Sequence, residues 1–246
     1  MVVVAIIAIL AALVLPALGT AQTSARSARC KGNLRQIAVA QSLYVGDFGA
    51  FPTVNVWRSA LTPYGIQMDH LDGANARLVV APPGLECPGA RFPPRHAPVV
   101  VSSYGYNFAG LERPSLGDSL GLGGHNPGSA EQFNAPVRES EVIAPSDMIG
   151  YGDGYFRTSA RNRTVSVSAA LGSFSNGSDG STYAAASMLQ EPAYVWRRHA
   201  GRINLALCDG HVEGPRLAKV FFDNGDDARR RWFRDNQPHP EIALKR

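Results

Sequence analysis

The chain has 246 residues, 45% of them hydrophobic and 18% charged, with a formal net charge of +4. That length is ample for one large domain or two small ones with a core of their own, and the composition excludes a disordered chain. The basic residues are scattered or concentrated just after the apolar start of the chain and in "ARRRWFR", which does not by itself call for nucleic acid, so no nucleic-acid partner is expected.

The first element is "MVVVAIIAILAALVLPALG", nineteen residues without a charge. A membrane-spanning helix needs about 20 apolar residues, so residues 1–19 can cross a bilayer. A secretory signal would start with a basic region, and no Lys or Arg precedes Arg26, which opposes that reading even though "ALGTA" imitates a cleavage site. A helix apolar on every face is also hard to bury at the start of a chain. Pro16 removes one helical hydrogen bond, a defect that membrane helices tolerate.

Beyond the span, Leu34, Ile37, Ala38, Gln41, Tyr44, Val45 and Phe48 follow the i, i+3, i+4, i+7 spacing, which predicts one packing face over residues 20–50. Gly46, Gly49 and Pro52 then supply stop signals. A single helix of about 45 residues, about 68 Å long, accounts for both halves.

Residues 51–246 read as short strands separated by long connections, as expected from 25 glycines and 17 prolines. "ARLVVAP", "PVVVSSYGYNF", "SDMIGYGDGYF" and "RTVSVSAAL" have β-branched and aromatic content and are bounded by Pro and Gly. "PSLGDSLGLGGHNPGS" and "GSFSNGSDGS" lack periodicity and are expected to be exposed loops. Near the C-terminus "DNGDD", Asp223 to Asp227, offers the oxygen ligands calcium takes but lacks EF-hand spacing, so a solvated acidic turn is expected. The sequence leaves Trp232 and Phe233 open, as core residues or as an interface patch.

In "HAGRINLALCDGHVEG", Ile203, Leu205 and Leu207 alternate with Asn204, Ala206 and Cys208, the period of a half-buried strand. Asp209-Gly210 then suits a two-residue type I′ hairpin turn with positive φ at both positions. A strand from Ile203 to Cys208 would hold His199 and Asp209 about 20 Å apart, unless Gly201 folds His199 back. One metal could not then bind both. Asp209 and His211 form a closer but incomplete ligand pair, so no metal site is expected. His199 is expected to make a structural hydrogen bond or to pair with an acidic group. No G-x-S-x-G elbow, P-loop or H-E-x-x-H is present, and "GYGDG" lacks the third glycine of a dinucleotide fingerprint. No enzymatic activity and no cofactor are expected.

Taken together, "VVVAIIAILAALVLPAL", "CKGNLRQIAVAQSLYVGDFGAFP", "CPG", "SYGYN", "HAGRINLALCDGHVE" and "RWFRDNQPHPE" resemble the prepilin-type, H-x9-DG processing-associated family of type IV pilin-like proteins. The H-x9-DG motif is carried here by His199, Asp209 and Gly210. The resemblance implies an α+β pilin-like fold, with a long N-terminal helix packed on an antiparallel sheet bearing long loops. It also implies a pseudopilin-like structural subunit of a type II secretion or type IV pilus-like assembly, held in the inner membrane by one span, with the bulk of the chain extracytoplasmic. The anchor and packing residues would be Val4, Ile7, Leu10, Val14, Pro16 and Leu18, and the partners other pilin-like subunits.

The peptidase motif of that family, glycine before Phe-Thr-Leu-Ile-Glu, does not occur here. The resemblance therefore implies a leader upstream of Met1, cut by a prepilin peptidase. Arg26, Arg29, Lys31 and Arg35 follow the span and by charge alone would favour the cytoplasmic side; the resemblance implies the opposite orientation. In an extracytoplasmic compartment Cys30 and Cys87 can pair and leave Cys208 spare, or all three can remain thiols. A second reading is a membrane-anchored module whose long loops bind a polysaccharide or a protein.

Overall fold

The computed structural model describes residues 2–53, 56–67, 70–72, 77–79, 85–89, 104–108, 110, 120–125, 135–153, 199–221 and 223–242. The segments "RTVSVSAAL" and "GSFSNGSDGS" lie outside them. So does most of "PSLGDSLGLGGHNPGS".

Helix α1 runs unbroken from Val2 to Phe48, 47 residues, through Pro16, a length of about 70 Å. Every Val, Ile and Leu from Val2 to Leu18 is at least 50% exposed, and nothing among the described residues covers them. Taking such side chains out of water is worth roughly 1.5–3 kcal/mol each, on the order of 20 kcal/mol for the set. That exceeds the usual net stability of a domain, so this half of α1 is built for a non-aqueous surrounding. By length and composition it can span a membrane.

The second half of α1 is different. Cys30, Leu34, Ile37, Ala38, Gln41 and Val45 are buried, as the 3.6-residue period requires when one face meets a core. Phe48 departs from the expected face: it is 64% exposed and stacks on Tyr44 with ring centroids 4.6 Å apart. It is the last helical residue, where the chain already turns away. Gly49 ends α1 at φ 66°, with its N–H on the Val45 carbonyl at 2.7 Å. This left-handed cap is a glycine position.

A short helix α2 (Trp57–Ala60) and a two-stranded ribbon of β1 (His70–Asp72) and β2 (Arg77–Val79) follow. The main sheet is antiparallel in the order β3 (Tyr104–Tyr106), β4 (Ile149–Asp153), β5 (Leu205–Leu207), β6 (Val212–Glu213). The architecture is thus α+β, a long apolar N-terminal helix against a small antiparallel sheet.

Both faces of the sheet are covered. Tyr104, Tyr106, Tyr151 and Ala206 join Leu34, Ile37 and Trp57 in one cluster, while Ile149, Ile203, Leu205 and Leu207 join Leu217, Trp232 and Phe233 in another. Ile149 and Tyr151 would share a face in a regular strand. They separate because the β4–β5 register shifts between them, a bulge that re-aims side chains. On the α1 side, Tyr106 and Tyr151 stack at 5.0 Å, with Trp57 within 5.6 Å of each.

Three expectations from sequence are corrected here. The segment from Ile203 to Leu207 is buried on both faces, because α1 covers the Asn204 and Ala206 side that simple alternation left open, while the C-terminal region covers Ile203, Leu205 and Leu207. The hairpin after β5 is not type I′: Gly210 has φ 93° but Asp209 is not left-handed. The Gly210 N–H bonds the Leu207 carbonyl at 3.0 Å and the Leu207 N–H bonds the His211 carbonyl at 3.0 Å. This is a three-residue loop closed by a left-handed glycine. Finally, residues 121–124 of the long glycine-rich stretch are buried. Leu122 is 0% exposed, and a Cβ on Gly123 would lie 2.4 Å from that of Phe108.

The C-terminal region closes the second cluster with helices α3 (Leu217–Phe221) and α4 (Asp226–Arg229) and a 3₁₀ turn at Arg230–Trp232. Trp232 and Phe233 are each 1% exposed and are core residues. Asp223, Asp226 and Asp227 are exposed, with Asp227 paired to Arg230. Buried Arg229 clips the tail by donating to the carbonyls of Pro238 at 2.8 Å, His239 at 2.5 Å and Ile242 at 2.6 Å.

His239 sits between Asp235 and Glu241, 2.8 Å from each carboxylate. Burial pulls its pKa down, but hydrogen bonds and charge from Glu241 and Asp235 outweigh it and leave the pKa raised. A raised folded pKa gives stability that is fully present below the unfolded value of about 6.5 and lost as pH rises through the folded value. The thermal unfolding temperature of the wild type is therefore expected to fall as pH rises above about 6.5. His239→Asn, which suits the positive φ at this site, is expected to flatten that segment of the profile.

Candidate functional site

The motif residues and two of the cysteines occupy two separate places. The first is a buried side-chain cluster between α1 and the sheet. Cys30 lies on the buried stripe of α1, one turn before Leu34, and Cys87 sits in the segment 85–89. They are joined as a disulfide with Cα atoms 5.2 Å apart, across a sequence separation of 57. Asn33, also on the buried face, fixes the same region: its Nδ2 donates to the Glu86 carbonyl at 3.3 Å and to the Tyr104 hydroxyl at 3.0 Å.

Asp153 ends β4 beside this bridge. Its Oδ2 accepts the Asn204 N–H at 2.8 Å, while its own N–H bonds the Asn204 carbonyl at 2.9 Å. His199 enters from the turn before β5. Ala200 and Gly201 have φ 54° and 76°, and the Arg202 N–H returns to the His199 carbonyl at 3.2 Å. Two consecutive positive φ values are the signature of a type I′ turn, which therefore occurs here and not at Asp209-Gly210. It folds His199 back from the strand, so that Nε2 lies 3.3 Å from Cys87 Sγ and 3.4 Å from Asp153 Oδ2.

Cys30, Cys87, Asp153 and His199 are 0%, 2%, 1% and 2% exposed, and one donor atom from each lies within 4.8 Å of all the others. Asp153 Oδ1 and His199 Nδ1 have no hydrogen-bond partner. A buried carboxylate and imidazole with open valences are costly, so this pocket is the most chemically loaded place among the described residues.

The second place is the hairpin tip. Asp209 is exposed; its Oδ1 accepts the His211 N–H at 3.0 Å and lies 2.7 Å from His211 Nδ1. An Asp that binds the backbone two residues on makes an Asx turn, and Gly210 supplies the left-handed position after it. Asp209 and Gly210 thus shape the turn, while His199 belongs to the pocket; the two halves of the motif take different partners. Nearby, a hollow of about 380 Å³ is lined by Asp147, His211, Glu213, Asp227 and Arg231, among others. Arg231 answers two of its carboxylates, donating to Glu213 at 2.5 Å and lying 3.2 Å from Asp147.

Val4, Ile7, Leu10, Val14 and Leu18 are 68%, 61%, 56%, 59% and 50% exposed, and Pro16 is exposed with them. Asp153, Asn33 and Asn107 were not singled out from sequence. The signal available for Asp153 was an acidic residue closing a strand-like run in "MIGYGD", where a solvent-facing alternation would not place it. Comparisons of the chain with protein-family models, with curated proteins and with solved structures give no match.

Proposed function

We propose that this protein is a membrane-anchored, pseudopilin-like structural subunit. The reading rests on one observation: a single helix, α1, is apolar and uncovered over Val2 to Leu18 and packs against the protein's own sheet from Cys30 to Val45. The uncovered half would lie in the inner membrane and then pack laterally on the same helix of neighbouring subunits, where apolar surface contact and close fit drive association. The rest of the chain would stand outside the membrane and set partner and position. Such a subunit does its work by assembly and needs no catalytic group, in keeping with a His199 and an Asp153 whose side chains are 0% and 1% exposed.

The test is the location and N-terminal mass of the protein made from its own locus, in cells with and without the prepilin peptidase. A membrane-bound protein whose methylated N-terminus depends on the peptidase is the expected result. An unmodified start in both strains would point instead to an anchored module that captures a polysaccharide or a protein with its loops.

A further inference from the structure

The disulfide accounts for Cys30 and Cys87 but leaves Asp153 and His199 unexplained. Asp153 is held by the end of β4 and its bonds to Asn204, His199 by the turn at Ala200-Gly201, and each carries an unpartnered polar atom. The separation of His199 Nε2 from Asp153 Oδ2, 3.4 Å, is long for a hydrogen bond, whose N–H···O distance runs to about 3.2 Å. It does match the edge of a metal tetrahedron. Ligand bonds of about 2.0–2.3 Å to zinc place neighbouring ligand atoms about 3.3–3.8 Å apart. Cys87 Sγ to His199 Nε2, 3.3 Å, falls at the same spacing.

We propose that Cys30, Cys87, Asp153 and His199 form a closed, four-coordinate zinc site when the Cys30–Cys87 bridge is reduced. Two sulfurs, one imidazole nitrogen and one carboxylate oxygen are each zinc ligands and together fill four coordination positions, and full burial leaves no position for water or substrate. A dithiol reductant supplies two electrons and two protons to the bridge and is itself oxidised to a disulfide. The two thiols then give up two protons as one Zn²⁺ binds, with His199 neutral and Asp153 ionised. The sulfurs move apart to tetrahedral spacing, and the ion takes over the role of the covalent link between α1 and the segment 85–89. The pocket would accordingly hold the fold together in either redox state. This inference stands on the pocket alone and does not depend on the anchored-subunit reading.

The experiment uses the full chain in detergent with Cys208→Ser, so that the two pocket cysteines are the only sulfur donors from cysteine. The protein is reduced anaerobically, freed of reductant and titrated with Zn²⁺ against a chromophoric chelator, then with Co²⁺ in parallel. One metal per reduced chain, none per oxidised chain, and tetrahedral Co²⁺ bands with thiolate charge transfer are expected. His199→Gln and Asp153→Asn keep both thiols and are each expected to weaken zinc at least about 100-fold. X-ray absorption on the reduced zinc protein needs neither of those variants: it should give two sulfurs near about 2.3 Å and two nitrogen or oxygen ligands near about 2.0–2.2 Å. No uptake by the reduced chain, equal uptake by the oxidised chain, or a metal shell without both sulfurs would overturn the proposal. So would binding that is indifferent to both substitutions.

Discussion

Asn107→Ala is expected to lower the unfolding free energy by about 3–5 kcal/mol, among the larger losses a single residue can cause. Asn107 is 0% exposed. Its Nδ2 donates to the carbonyls of Ile149 at 2.9 Å and Trp232 at 3.0 Å, and its Oδ1 accepts the Gly110 N–H at 3.1 Å. The backbone of the same residue bonds Gly150 and Leu122. One side chain therefore ties the end of β3 to β4, to the C-terminal turn and to the segment around Leu122. Alanine would remove all three of these interior hydrogen bonds, and a buried polar group that loses its partner costs about 1–3 kcal/mol. Asn107→Asp should be worse, since it sets an acceptor against two carbonyls. A denaturant midpoint within the range of surface substitutions would show that Asn107 only fills space.

The second large effect is expected at the bridge. A cross-link spanning 57 residues restricts the unfolded chain by about 4 kcal/mol on the chain-entropy account, and the loss of native bridges usually costs about 2–5 kcal/mol. Cys30→Ser should fall in that range, and it also buries a hydroxyl at a position 0% exposed. Cys208→Ser is the internal control. Burial, assisted by the neighbouring Asp209 carboxylate, pushes the Cys208 thiol well above its ordinary pKa, and its removal should cost less than about 1 kcal/mol. If the two variants unfold together, the bridge does not hold the folded protein.

What the sequence made legible follows from which signals are local. The apolar run from Val2 to Leu18 and the stripe from Leu34 to Val45 lie along one helix, and Gly49 marks its end, so α1 could be read with nearly its full length. The environment of β5 could not be read this way. Its Ala206 face lies against α1 and its Leu205 and Leu207 face against Leu217, Trp232 and Phe233, contributed by a later segment without periodicity, and only the fold brings both layers there. The same holds for Leu122, whose glycine-rich setting looks like an exposed loop until Asn107 and Phe108 are seen to grip it.

The candidate site divides similarly. An extended strand alone would keep His199 far from Asp209, and the left-handed pair Ala200-Gly201 turns His199 inward, the fold-back that Gly201 made possible. Asp153 is invisible as its partner because the two meet across 46 residues of chain. The turn at Asp209-Gly210 differs from the type I′ expectation for a simpler reason: Asp-Gly suits both a two-residue hairpin and the last two positions of a three-residue one, and the Asx bond to His211 favours the second.

The central claim is that the uncovered half of α1 is both anchor and assembly surface, and it can be tested in the cell. A photo-crosslinking residue placed in turn at Val4, Ile7, Leu10, Val14 and Leu18 reports what touches each position. The account expects adducts between copies of this chain, or with pilin-like neighbours, recurring at helical spacing on one side of α1. Adducts with lipid alone at all five positions would contradict it and leave α1 as a simple membrane tether.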